Sequence, residues 1–167
     1  MYKIPVSVLV VVYSADGQFL LLERAAHPGY WQSVTGSQEA GETLVATAIR
    51  ELQEETGLVT DGVGCLSDSV QAQLRPNILV DHQQSIEYEI FPEWRHRYAP
   101  GVTTNTEHYF SIRLPQTVPV KLASDEHSAY QWLDGRSAID RCFSPSNQAA
   151  ISDLLNRELV TKLGVNP

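Results

Sequence analysis

Residues 36 to 58 read GSQEAGETLVATAIRELQEETGL, and the fold class turns on this stretch. A loop studded with glycine leads into TLVATAIRELQEET, where Leu44, Ala48 and Leu52, with Ile49 at the edge, recur with helical period. Thr43 or Glu42 stands at the N-terminal end, and Gly57 is placed as a C-cap. On such a helix Glu51, Glu54 and Glu55 share one face, opposite part of the apolar stripe. Carboxylates that close repel and raise one another's pKa. A hard divalent cation such as Mg²⁺ resolves the conflict, because it takes oxygen ligands and keeps positions open for water and phosphate. The plain alternative is a solvated Glu-rich face with Arg50 as its local partner.

Working outward, the 167 residues suit one domain, expected to span 1–167 with a buried core. A formal net charge of −8 gives no basic field for a nucleic acid polymer or an anionic membrane. Binding of a phosphorylated small molecule to so acidic a chain requires a cation and a few well-placed Lys or Arg. The two cysteines, Cys65 and Cys142, are isolated, which predicts reduced thiols and neither a disulfide framework nor a zinc site. The five histidines lack metal spacing. MYKIPVSVLVVVYSADG has one basic residue before a short β-branched run and no small-residue cleavage signal, so it reads as a strand. A soluble, cytoplasmic protein is expected.

Along the chain, Ile4 to Tyr13 reads as a strand buried on both faces, and QFLLLER as its antiparallel return after the SADG turn. WQSVTG is a short strand entering Gly36. LRPNILVDHQQ reads as a surface loop, SIEYEIF as a strand, and EWRHRYAPGVTTN as an irregular basic and aromatic excursion. TEHYFSIRLP and SAYQWLD are further strands, and Ser146 to Leu163 is an amphipathic helix. The expected class is α/β, a mixed sheet sandwiched between helices.

The opening stretch fills every position of G-x5-E-x7-R-E-U-x-E-E-x-G-U, where U is aliphatic, through Gly36, Glu42, Arg50, Glu51, Leu52, Glu54, Glu55, Gly57 and Leu58. This pattern resembles the signature of the Nudix hydrolases. The resemblance implies a Nudix fold, an α/β/α sandwich, and a loop-helix-loop holding Mg²⁺, with Mn²⁺ as a substitute, at a diphosphate. It implies Glu51 and Glu55 as metal ligands and Glu54 as a further ligand or the group orienting the attacking water. It also implies Glu42 and Arg50 as a structural ion pair, with a direct metal role for Glu42 as the alternative. Gly36 and Gly57 read as backbone permissions.

Segments outside that pattern, WQSVTGS and RHRYAPGVT above all, resemble the bacterial branch of the family that acts on dihydroneopterin triphosphate; Gln73 to Gln83 departs from it. That resemblance implies hydrolysis of 7,8-dihydroneopterin triphosphate to the monophosphate and pyrophosphate, a step of folate biosynthesis. It implies Lys3, Arg24 and Thr35 as substrate contacts, the last through its hydroxyl. It adds the run Tyr88, Glu89, Ile90 and Phe91, then Ser144, and it makes Glu126 an extra carboxylate for the metal or a general base. The plain readings are a solvated strand end for Arg24, a loop charge for Glu126 and a helix-start residue for Ser144. Trp31, Tyr88, Phe91 and Tyr98 could form a flat wall for a bicyclic ring. Tyr88 and Phe91 fall on opposite strand faces, so one of them is expected in the core. His96 and His108 read as structural, and Arg95 to Tyr98 either position a loop or bind phosphate. The alternatives are a diphosphatase for dATP or oxidised nucleotides, and a nucleotide-binding protein of this fold without turnover.

Overall fold

Nine residues rich in Val form the strand around which the rest assembles. In the computed structural model, which describes residues 1–66 and 75–162, β1 (Val6–Ser14) is buried over nearly its whole length. One edge pairs in parallel with β7 (Thr104–Leu114), from Val6 opposite Thr106 to Ser14 opposite Leu114. The other edge is divided. Ser7 to Val10 pairs with β4 (Val34–Ser37), while Tyr13 pairs with Phe19 of β2 (Gln18–Arg24). The sheet runs β3-β2-β1-β7-β6-β5, with β4 on β1 and β8 (His127–Asp134) on β2. Here β3 is Trp31–Gln32, β5 is Gly62–Cys65 and β6 is Ile78–Glu89.

Alternation along the central strands builds two cores. Val8, Val10 and Val12, with Phe110, Ile112 and Leu114, pack beneath Ala48 and Leu52 of α1 (Leu44–Thr56). Leu9, Val11, Tyr13 and Tyr109 face the opposite way. They pack on Ala138 of α2 (Gly135–Arg141) and on Ala150, Ile151 and Leu154 of α3 (Pro145–Lys162). Helices on both faces of a mixed sheet are the α/β/α layering expected from the sequence. No helix among the described residues is long and apolar enough to cross a membrane.

The segment WQSVTG breaks into two strands at Ser33. The Ser33 N–H donates to Asn147 Oδ1 at 2.7 Å and Asn147 Nδ2 donates to Ser33 Oγ at 2.9 Å, so a side chain of α3 replaces a ladder partner. The stretch LRPNILVDHQQ is corrected: Ile78 to Gln84 belongs to β6, and only Arg75 to Asn77 turn, Leu74 lying outside the described residues. Gln83 has φ of 54° and the register slips between Asp81 and Ser85, so a bulge with exposed glutamines disguises a strand whose Leu79, Val80 and His82 are buried. The helix α2 was also not foreseen; Asp134 ends β8 and caps α2 by accepting from Ser137 N. Pro145, one residue earlier than expected, begins α3, and Leu163 falls outside the described residues.

His82 carries a pH signature of this packing. Its ring stacks on Tyr109 with centroids 3.8 Å apart, and its Nε2 lies 2.7 Å from Ser111 Oγ. Burial, then the charge of Arg157, lowers its pKa to about 4. The folded state therefore binds this proton less readily than the unfolded chain. The stabilising contribution is complete above an unfolded pKa of about 6.5 and is lost as pH falls through about 4. The stability difference between wild type and His82→Gln, from urea melts at pH 7 and pH 4, is expected to shrink as pH falls.

Candidate functional site

The helix α1 is set down by its two ends. Thr43 accepts from Ala46 N, and Gly57 takes the left-handed conformation, φ 74°, with its N–H donating to Gln53 O. That setting turns two of the three clustered acids inward. Glu51 is 8 % exposed and Glu55 2 %, whereas the Glu54 side chain is 54 % exposed. Glu55 Oε2 is buried without a hydrogen-bond partner. Burial, followed by the charge of Glu55, raises the Glu51 pKa to about 7. Burial raises Glu55 as well, opposed by His127 and by the backbone N–H of Thr35.

Gly36 is explained by space rather than by backbone freedom. A Cβ there would lie 1.9 Å from Glu51 Cδ and 2.0 Å from Oε1, so the carboxylate occupies the volume that any other residue would fill. The reading of Gly36 as a backbone permission is thereby corrected, while Gly57 does occupy the left-handed region.

Arg50 ties the acids to the preceding loop. Its Nε donates to Glu42 Oε1 at 2.6 Å and Nη2 to Glu42 Oε2 at 3.0 Å, the expected loop-to-helix pair. Nη2 also donates to Ser37 O at 3.0 Å. Nη1 donates to Glu51 at 2.8 Å and reaches Glu54 at 3.2 Å. The Arg50 hydrogen bonds hold the Glu42 carboxyl at about 2. One guanidinium thus fixes the loop, one buried acid and one exposed acid.

Three elements close the site. At the start of β8, Glu126 and buried His127 bring ligand atoms within 4.8 Å of one another and of Glu55. His127 Nε2 lies 3.3 Å from Glu55 Oε1, though neither ring nitrogen has an aligned hydrogen bond. His127 is a site residue that the sequence reading missed, because it lies 72 positions from Glu55 and neighbours it only through the pairing of Arg24 with His127 across β2 and β8. On the other side stand Lys3, Arg24 and Arg97. Burial and the charge of Arg97 lower the pKa of Lys3 and of Arg24, while Glu51 and Glu126 oppose this at Lys3 and Glu55 and Glu126 at Arg24. Mutually repelling cations beside carboxylates are poised for an anion that also carries a metal.

The aromatic wall differs from expectation. Trp31 is 7 % exposed, buried in the α3-side core with Arg141 over its ring, rather than presented as an open wall. Trp94, unnamed in the sequence reading, lies under the Arg24 guanidinium at 5.1 Å and meets Phe91 edge-on at 5.1 Å. Neither Tyr88 (41 % exposed) nor Phe91 (51 %) is core; Ile90 between them is, at 3 %. Tyr88 Oη instead accepts from Asn105 Nδ2 at 3.1 Å, and Glu89 is exposed. The Thr35 hydroxyl, expected to face a ligand, donates to Val8 O at 2.9 Å, and the residue presents its N–H to Glu55. Ser144 Oγ sits 2.9 Å from Ser146 Oγ and accepts from Asn147 N at 3.4 Å, at the start of α3. Arg95 Nε donates to Ile90 O, which makes it a loop anchor. His96 Nδ1 is within 2.8 Å of Glu93 O in the same turn.

A chemical fit to a divalent cation follows from the donor set: a buried, unpartnered Glu55 oxygen with Glu126 and His127 in reach, and the buried Glu51 carboxylate on the same helix face. Comparison with known proteins agrees. The NUDIX domain family matches residues 3–151. Dihydroneopterin triphosphate diphosphatase of Escherichia coli K12 is 44 % identical over 155 residues, 92 % of this chain and 94 % of that one. The protein of the same description from Haemophilus influenzae is 39 % identical over 156 residues, 92 % of this chain and 89 % of its own. The solved structure of the E. coli dihydroneopterin triphosphate pyrophosphohydrolase superposes with a TM-score of 0.75 at 45 % identity, covering 92 % of this chain and 96 % of that one.

The crowding at Gly36 yields a direct test. Gly36→Ala is expected to displace the Glu51 carboxylate and weaken Mn²⁺ binding by about tenfold or more, ~1.4 kcal/mol. Electron paramagnetic resonance titration measures this, with far-ultraviolet circular dichroism unchanged. Wild-type affinity in the variant overturns the placement of Glu51 at the cation.

Proposed function

The chain belongs to the Nudix family, and from that premise we propose that it converts 7,8-dihydroneopterin triphosphate to the monophosphate and pyrophosphate with Mg²⁺. The observation that carries the reading is the apposition of the buried acids Glu51 and Glu55, with Glu126, to Lys3, Arg24 and Arg97. A triphosphate needs both signs of charge, and this site supplies both on a chain whose net charge is −8.

In this reading Glu51, Glu55 and Glu126 hold the cation, and Mn²⁺ can replace Mg²⁺. When bound, the cation neutralises phosphate charge and activates water. His127, 3.3 Å from Glu55, orients that carboxylate. Glu54, the exposed acid, directs the attacking water, and Arg50 holds its carboxylate at 3.2 Å. Lys3 and Arg24 bind the phosphates, and Trp94 fixes the Arg24 guanidinium from beneath. Glu42 acts through Arg50, bracing the loop rather than touching metal. The substrate follows the relatives of 44 % and 39 % identity, which span nearly the whole of this chain.

Mass-spectrometric assay of dihydroneopterin triphosphate with Mg²⁺ is expected to give dihydroneopterin monophosphate and pyrophosphate, and no product with a chelator. Glu54→Gln and Glu55→Gln are expected to lower kcat by at least about a hundredfold with folding intact. Near-normal turnover in both variants sinks the residue assignment. A preference for dATP over the pterin by about tenfold in kcat/KM, ~1.4 kcal/mol, reverses the substrate.

A further inference from the structure

On the α3 side of the sheet lies a second buried acid that the metal site does not use. Glu107 is 7 % exposed, and among the described residues it takes one hydrogen bond, from Ser146 Oγ at 2.9 Å. It stands in a cross-sheet row, with Ser7 of β1 on one side and Ile86 of β6 on the other. Burial raises its pKa, and no cation offsets that cost. Two residues earlier on the same face, Asn105 is 1 % exposed. Its Nδ2 donates to Ser7 Oγ at 2.7 Å and to Tyr88 Oη at 3.1 Å, while its Oδ1 is buried without a partner.

Glu107 adjoins space. Glu107 and Ser146 line a cleft of ≈ 200 Å³ between the sheet and α3, walled by Leu9, Tyr109 and Ala150 and by half-exposed Ile86. The cleft has apolar sides and one buried acid, Glu107; its other acid, the partly exposed Asp153, is ion-paired with Arg157, and a flat heteroaromatic ring with a polar edge fits such a lining. The cleft also lies near the motif loop: Ser7, opposite Glu107, pairs on its other edge with Ser37, next to Gly36.

We propose that this cleft seats the substrate's ring and that Glu107 selects a 2-amino-4-oxo ring edge over adenine. The inference rests on the diphosphatase reading above and names the determinant of its specificity. A pterin, like guanine, presents a ring N–H beside an exocyclic amino group, two adjacent donors that one carboxylate accepts together. Adenine places an acceptor nitrogen beside its amino group, and so sets a lone pair against the Glu107 oxygen. A site built from unsatisfied acceptors rejects a ligand lacking the matching donors, because the acceptors then stay buried and unpaired.

The test compares kcat/KM of the full-length protein and of Glu107→Gln on dihydroneopterin triphosphate, dGTP and dATP, all with Mg²⁺. The variant's amide opposes one of the two ring donors. Loss of about tenfold or more on the pterin and dGTP together, with dATP within about twofold, supports the proposal. An equal change on all three overturns it and leaves Glu107 as a structural acid. If Glu107→Gln does not fold, Glu107→Asp, which withdraws the carboxylate by one methylene, is read by the same criterion. Should the wild type ignore the pterin and cleave nucleotides, the substrate reading fails, while the ratio of dGTP to dATP still decides the role of Glu107.

Discussion

A carboxylate buried to 2 % exposure beside a second at 8 % is a debt of several kcal/mol per ion unless a counter-charge is brought to it. Glu55 and Glu51 impose that constraint, and the surroundings answer it. Gly36 surrenders its side-chain volume to the Glu51 carboxylate. Arg50 reaches one oxygen of Glu51 and is held in turn by both oxygens of Glu42. What remains unanswered is Glu55 Oε2, and ligand atoms of Glu55, Glu126 and His127 lie within 4.8 Å of one another, an arrangement that could hold a metal ion. The pKa of about 7 at Glu51 expresses the same imbalance.

The sheet makes these demands compatible with a substrate. Because β1 shares one edge between β4 and β2, the strand that carries Gly36 ends where the N-terminal half of β1 begins. The pleat then separates the chemistry by face. Even-numbered positions of β1 support α1 and its acids, and odd-numbered positions support α3, with Ser7, Asn105 and Glu107 continuing the odd row at the strand ends. One end of one strand therefore borders both the cations Lys3 and Arg97 and the cleft that Glu107 lines. Lys3, just before β1, is anchored to Arg97 O by its own N–H at 2.9 Å, which keeps both cations at that border.

Several features were legible because their causes are local. The α1 boundaries follow from Thr43 and Gly57, one capping and one left-handed, and neither needs the rest of the molecule. The Glu42–Arg50 pair was implied by the motif's resemblance to the Nudix signature, and it joins residues eight positions apart. By contrast, β6 was unreadable over Ile78 to Gln84, since the exposed glutamines of a bulge carry the composition of a loop. Trp31 drew attention as an aromatic next to the motif, but the register that pairs it with Glu23 and brings Cys142 alongside turns it into the core. Trp94, inside an excursion without periodicity, gave no signal at all.

The chain by itself determined the loop and helix that gather the acids, their capping, and the class of a mixed sheet between helices, because periodicity and capping act over a few residues. The tertiary structure decided which acids are buried, why residue 36 must be glycine, and that His127 meets Glu55. It also decided that Glu107 faces a cleft rather than solvent. Each of these depends on which strands lie side by side, and strand pairing joins residues separated by tens of positions that no local pattern connects.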